Sequence, residues 1–130
     1  MRAMRIKLTS VTVDDQAKAL AFYTDVLGFV LKRDDPAGEF RAITVEPRDN
    51  PGEIEMMLEP NAHPASKAFQ EALRKDGIPV AIFFVDDLEQ EYARLTGLGV
   101  SFVQEPTRSE WGYQAMLDDT CGNYLVLHEG

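Results

Sequence analysis

Two histidines, His63 and His128, and one cysteine, Cys121, are all the imidazole and thiol chemistry this 130-residue chain offers. Any histidine-based metal site must therefore use His63 or His128, and any thiol nucleophile must be Cys121. Cys121 lies in Asp118-Asp119-Thr120-Cys121-Gly122-Asn123. That run lacks the spacing of an EF-hand loop and has no nearby histidine to activate the thiol, so it reads as a tight turn built on Gly122 and its Asx side chains. His63, in Asn61-Ala62-His63-Pro64, falls where a helix should begin. His128 alternates onto the same strand face as Val126, roughly 7 Å further along. It is either a solvated strand end or part of a metal site. No phosphate-cradling loop, dinucleotide fingerprint or Gly-x-Ser-x-Gly elbow is present.

Other groups suit binding better than bond-making. Glu55, Met57 and Glu59 share one face of a strand by alternation, which gives two carboxylates beside an adaptable thioether wall, while Met56 turns to the other face as core. Trp111 and Tyr113 lie in or beside the segment 104–112, read as a long hairpin loop. Both can stack on a ligand, or Trp111 can instead fill a gap against the sheet or a partner subunit.

The elements that must position these groups come in two similar sets. Ile6 to Val13 alternates as a strand, Asp14 or Asp15 caps a helix with the stripe Ala19, Leu20, Tyr23, Val26 and Leu27, and Gly28 ends it. Strands follow at Phe29 to Arg33, Glu39 to Glu46 and Glu53 to Glu59, with turns at Pro36-Ala37-Gly38 and at 47–52. The second set begins with the strand Val80 to Val85, then a helix capped by Asp86-Asp87 with Leu88, Tyr92, Leu95 and Leu98 in one stripe. Strands near Val100 to Gln104, Tyr113 to Leu117 and Asn123 to Glu129 complete it. Val13-Asp14-Asp15 and Val85-Asp86-Asp87 lie 72 residues apart, and Leu27-Gly28-Phe29 and Leu98-Gly99-Val100 lie 71 apart. The chain is therefore an internal duplication: one domain over 1–130, with module one at about 5–60, a connecting helix at about 64–76 carrying Ala65, Phe69, Ala72 and Leu73, and module two at about 78–130. The expected class is α+β, two tandem βαβββ modules whose helices cover one face and whose curved mixed sheet surrounds a cavity.

Composition limits the partners. Thirteen Lys and Arg against 22 Asp and Glu give a net charge of −9, which repels phosphate backbones and anionic membranes. Nucleic acid and membranes are therefore not expected partners. A lone cysteine and no apolar stretch in Met1 to Ser10 point to a cytoplasmic chain.

In order and spacing, Val13-Asp14-Asp15, Ala21-Phe22-Tyr23, Val26-Leu27-Gly28-Phe29, Val85-Asp86-Asp87, Leu98-Gly99-Val100 and Asp119-Thr120-Cys121-Gly122-Asn123 resemble the vicinal oxygen chelate superfamily of glyoxalase, bleomycin-resistance and dioxygenase proteins. The resemblance implies a homodimer, and for the family's enzymes a divalent metal held by a first-strand and a last-strand residue of each module. The matching positions here are Leu8, Val80, Val126 and, as the best match for the fourth, Glu55, with Glu59 as its fallback. Three aliphatic groups and one carboxylate cannot replace a cation's water shell. Glu55 facing Leu8, Val80 and Val126 would be either a desolvated acid of raised pKa, able to carry a proton or anchor a cationic ligand, or an ordinarily hydrated group in a wide, wet cavity; on the first reading Glu55→Gln would weaken binding without unfolding the chain.

The expected function is thus a glyoxalase/bleomycin-resistance-like protein that binds a small organic ligand, apolar or cationic, with no cofactor and no complete metal site. Glu55, Met57, Glu59, Trp111, Tyr113 and His128 are its ligand-binding candidates. The alternative is a family enzyme, a lyase, isomerase or dioxygenase. It would use either a divalent metal on His128 with Glu55 or Glu59, or Glu55 as acid/base.

Overall fold

The computed structural model describes residues 3–130, so Met1 and Arg2 of the expected domain lie outside the described residues. The chain divides into two compact units, Met1–Asn61 and Ala62–Gly130. The first contains β1 (Leu8–Val13), α1 (Gln16–Ala21), β2 (Val30–Ala37), β3 (Phe40–Glu46) and β4 (Glu55–Pro60). The second contains α2 (Pro64–Lys75), β5 (Ala81–Val85), α3 (Leu88–Gly97), β6 (Phe102–Ser109), β7 (Gly112–Asp118) and β8 (Tyr124–Glu129). Each unit has a four-stranded mixed sheet, in the order β1-β4-β3-β2 and β5-β8-β7-β6, with the β1–β4 and β5–β8 pairs parallel and the others antiparallel. This is the two-module α+β arrangement expected from the duplication.

In the first unit, Asp15 caps α1 by accepting from the Lys18 amide. The helix then widens into a π-helical turn, Phe22–Val26, in which the Leu27 amide donates to the Phe22 carbonyl, and Gly28 ends it at φ +91°. Ala19 and Tyr23 are buried with Val11, Val13, Ile43, Val45, Met56 and Leu58, so one sheet face is sealed by the helix. Gln16 fixes the docking: its Nε2 donates to the Arg41 and Leu58 carbonyls, and its Oε1 accepts from the Arg41 amide.

The second unit repeats this. Asp87 accepts from the Gln90 amide, and Leu88 and Leu95 are buried with Ala115, Leu117, Leu125 and Leu127. Tyr92 stacks edge-on against Phe102 at 4.7 Å. Leu98, expected in that stripe, is exposed because it is already the C-cap.

Three expectations change. Residues Pro36 and Ala37, expected in a turn, extend β2, and Pro106, expected in a loop, lies within β6. Both are edge strands, where a missing amide is tolerated, and Pro106 falls at a register shift between Gln104 and Thr107. On α2, Phe69 is exposed and Gln70 is buried in its place. Gln70 Nε2 donates to the Cys121 carbonyl and to Asn123 Oδ1, tying the helix to the β7–β8 turn.

Candidate functional site

Alternation assigns a helix-covered face and an uncovered face to each sheet. In the first unit the uncovered face carries Leu8, Ser10 and Thr12 on β1, Glu55, Met57 and Glu59 on β4, and Ala42, Thr44 and Glu46 on β3. Leu8 stands directly opposite Glu55 on the adjacent strand and is 53% exposed. Glu55 is not a lone acid among aliphatic groups, however. Lys32 Nζ lies 3.8 Å from its Oε2 and 3.4 Å from Oε2 of Glu46. Lys32 reaches them because β2 has a bulge: the register passes from Leu31 opposite Val45 to Arg33 opposite Thr44, leaving Lys32 as the extra residue. Beside this cluster Thr44 is 1% exposed, and its buried Oγ1 has no hydrogen-bond partner.

In the second unit the uncovered face carries Ile82 and Phe84 on β5, Tyr124, Val126 and His128 on β8, and Gln114 and Met116 on β7. Ile82 pairs with Val126 and Phe84 with His128, and Ile82 and Phe84 remain 52% and 67% exposed. The His128 ring lies 4.9 Å from Phe84, and its Nε2 donates across 2.9 Å to the Trp111 carbonyl, because a carbonyl can only accept. Its Nδ1 is buried without a partner. A Cβ on Gly112 would come within 2.5 Å of His128 Nε2, so only glycine lets the ring reach the hairpin.

Two aromatic candidates part company. Trp111 sits at the β6–β7 turn and is 74% exposed, so it fills no gap against its own sheet. Tyr113 lies on the opposite face from Val126 and His128. Its hydroxyl donates to Glu89 of α3 at 3.0 Å, and the Arg108 guanidinium sits 4.2 Å over its ring. Desolvation, followed by the bond to Glu89, pushes its pKa above the ordinary phenol value. Tyr113 is thus a strut between β7 and α3 and is not aligned with the other candidates.

Registers within the two units also revise which positions correspond. Leu8 faces Glu55, and Val80, whose amide donates to the Tyr124 carbonyl, occupies the equivalent place beside Tyr124. Val126 faces Ile82 as Met57 faces Ser10. The counterpart of Val126 in the first module is therefore Met57, and that of Glu55 is Tyr124. Two valines and a leucine with either a thioether or a single carboxylate do not fit a divalent ion. Among the described residues no three His, Cys, Asp or Glu side chains gather as a metal site.

His63 is a helix cap, its Nδ1 accepting from the Ala65 amide. The segment around Cys121 is the turn its composition suggested. Buried Asp119 accepts from the amides of Cys121 and Asn123 and from Asn123 Nδ2. Sequence reasoning missed Lys32, Glu46, Thr44, Ile82 and Phe84. The signal for the last two was available: Val80 to Val85 is apolar on both faces, as a strand is when its second face also has apolar work.

The chain is 46% identical over 124 residues to the uncharacterized protein YurT of Bacillus subtilis (strain 168), covering 95% of this chain and 98% of YurT. Among solved structures, UcmS2 superposes with a TM-score of 0.84 at 37% identity, covering all of both chains. TnmS3, an antibiotic binding protein from Streptomyces sp. CB03234, superposes with a TM-score of 0.78 at 29% identity, covering 99% of this chain and 98% of TnmS3. The model of the Glyoxalase/Bleomycin resistance protein/Dioxygenase superfamily matches residues 5–127, and the chain belongs to that superfamily.

Proposed function

We propose that this chain binds a small organic molecule, apolar or cationic, on the uncovered faces of its sheets, and that it does so without a catalytic metal. The observation that carries this is the apolar second-unit face, where Ile82 and Phe84 stand exposed next to Val126 and Met116. Side chains of this kind gain free energy when covered, at about 25 cal/mol per Å² removed from water. Three of the four ligand positions of the family's enzymes, Leu8, Val80 and Val126, are aliphatic here, and a relative of 29% identity is an antibiotic binding protein, which supports binding over metal chemistry. The net charge of −9 favours a neutral or cationic ligand over an anion. Homodimerisation in the cytoplasm, with neither nucleic acid nor membrane as partner, belongs to the same reading. No helix among the described residues is long and apolar enough to cross a membrane.

Thermal melting tests it. Hydrophobic amines and polycyclic aromatic drugs should raise the melting temperature in a saturable, concentration-dependent way, while zinc, nickel, manganese and iron(II) should not. A saturable metal-induced shift that disappears in His128→Ala would overturn the metal-free reading. A flat response to every organic compound would overturn binding itself.

A further inference from the structure

We propose that Glu46 and Glu55 form a seat for an alkylammonium group on the first unit's uncovered face, with Lys32 as the resident cation that the ligand's ammonium replaces. This rests on the small-molecule reading above and specifies the chemistry of one end of the ligand.

The register that pairs Thr44 with Met57 and Val45 with Met56 brings Glu46 opposite Glu55 one step further along. Like charges facing each other across two strands repel, so the arrangement needs a cation. Lys32 supplies it poorly. Its distances of 3.4 and 3.8 Å exceed the roughly 2.7–2.9 Å of a well-formed charge-assisted bond, and both fall on Oε2 atoms. It comes from a bulge in an edge strand, on a flexible stem, and one ammonium between two carboxylates leaves the cluster negative. Glu46 is held in place meanwhile, since its Oε2 also accepts from the Gly52 amide at 3.0 Å.

A second, independent observation points to a polar guest. The Thr44 hydroxyl is buried and unpartnered on the same face, next to Glu46 along β3 and opposite Met57. A buried hydroxyl normally finds a partner, and an ammonium can present three hydrogens, enough for Glu46, Glu55 and one more acceptor. Leu8, exposed beside Glu55, and Met57 offer apolar contact for the carbon body attached to that nitrogen. The ligand this selects is a primary amine on an apolar skeleton.

The test uses 4-phenylbutylamine and its neutral isostere 4-phenylbutanol, titrated calorimetrically at low salt, with calcium chloride as a competing inorganic cation. The amine should bind about fivefold tighter than the alcohol, and the preference should shrink as salt is added. Lys32→Met should tighten the amine about three- to tenfold and leave the alcohol unchanged. Glu46→Gln and Glu55→Gln should each erase the preference. Lys32→Gln, which keeps a donor toward both carboxylates, serves as the second variant should Lys32→Met fold poorly, and should tighten the amine in the same direction. Equal amine and alcohol affinities, weaker amine binding in both Lys32 variants, or calcium outcompeting the amine would each overturn the ammonium seat. Alcohol binding retained in that case would leave the small-molecule reading standing, whereas no binding of either compound to any variant would remove both.

Discussion

The two modules share a backbone plan and differ in what they place on it. On the uncovered face of the first, Glu46, Glu55 and Lys32 meet beside Ser10 and Thr44. On the corresponding face of the second, Ile82, Phe84, Val126 and Met116 meet beside His128. Duplication preserved the register that puts Leu8 with Glu55 and Val80 with Tyr124, while side chains diverged into a charged face and an apolar one. Each unit thus presents its own uncovered face with its own chemistry, ionic in the first and apolar in the second.

The difference extends to the connections between strands, and there the largest effect is expected. In the second module the β7–β8 turn is built on Asp119, buried and accepting three hydrogen bonds, whereas the first module's β3–β4 connection has the Glu46 to Gly52 bond near the surface. Asp119→Ala should cost about 3 kcal/mol in urea unfolding, because buried donors lose their acceptor. Glu46→Gln should cost less than about 1 kcal/mol. Equal losses would mean the two turns are not held differently after all.

Binding separates the faces next. The double variant Ile82→Ser with Phe84→Ser should lose about tenfold in affinity for a polycyclic aromatic compound, while Leu8→Ser loses about threefold, both read by calorimetry. Unfolding free energies should change by less than about 0.5 kcal/mol, since all three side chains are exposed. A larger loss from Leu8→Ser would reverse the assignment of apolar and charged roles.

The smallest effect is in pH. The Arg41 guanidinium, hydrogen-bonded to Asp34 across the first module's β2–β3 hairpin, holds the Asp34 carboxyl below its ordinary pKa. The folded-state value being lowered, its stabilisation is complete above the unfolded value of about 3.9 and is lost as pH falls through the folded one. Tyr113 has the opposite sign. Its raised pKa contributes stability that is complete below about 10 and lost as pH rises through the folded value. Asp34→Asn should therefore soften the acid limb of a melting-temperature profile and Tyr113→Phe the alkaline limb. Identical profiles for both variants would erase the contrast.

The sequence made the fold legible because duplicated landmarks, Val-Asp-Asp before each helix and Leu-Gly after it, constrain element order even where boundaries drift. It missed the extensions of β2 through Pro36 and of β6 through Pro106, since proline forbids a central strand and an edge position cannot be read from one segment alone. The site was only half legible. Alternation correctly grouped Glu55, Met57 and Glu59, but it could not foresee the bulge that brings Lys32 to Glu55, because an extra residue shows only in pairing. Tyr113 reads correctly as the start of a strand, but which face of β7 lies with Val126 and His128 is set by the cross-strand register, and that register turns Tyr113 toward Glu89.

Gln70 and Arg74 give helix α2 an allegiance that its position in the chain conceals. Gln70 is bonded to the β7–β8 turn, where a Cβ on Gly122 would collide with it, and Arg74 pairs with Asp118 at 2.9 Å while lying 4.7 Å over the Tyr124 ring. The natural scission point is therefore between Asn61 and Ala62, ahead of the helix. A cut there leaves the bonds of Gln70 and Arg74 to the β7–β8 turn within one fragment, whereas a cut after Lys75 would strip the second fragment of that clamp.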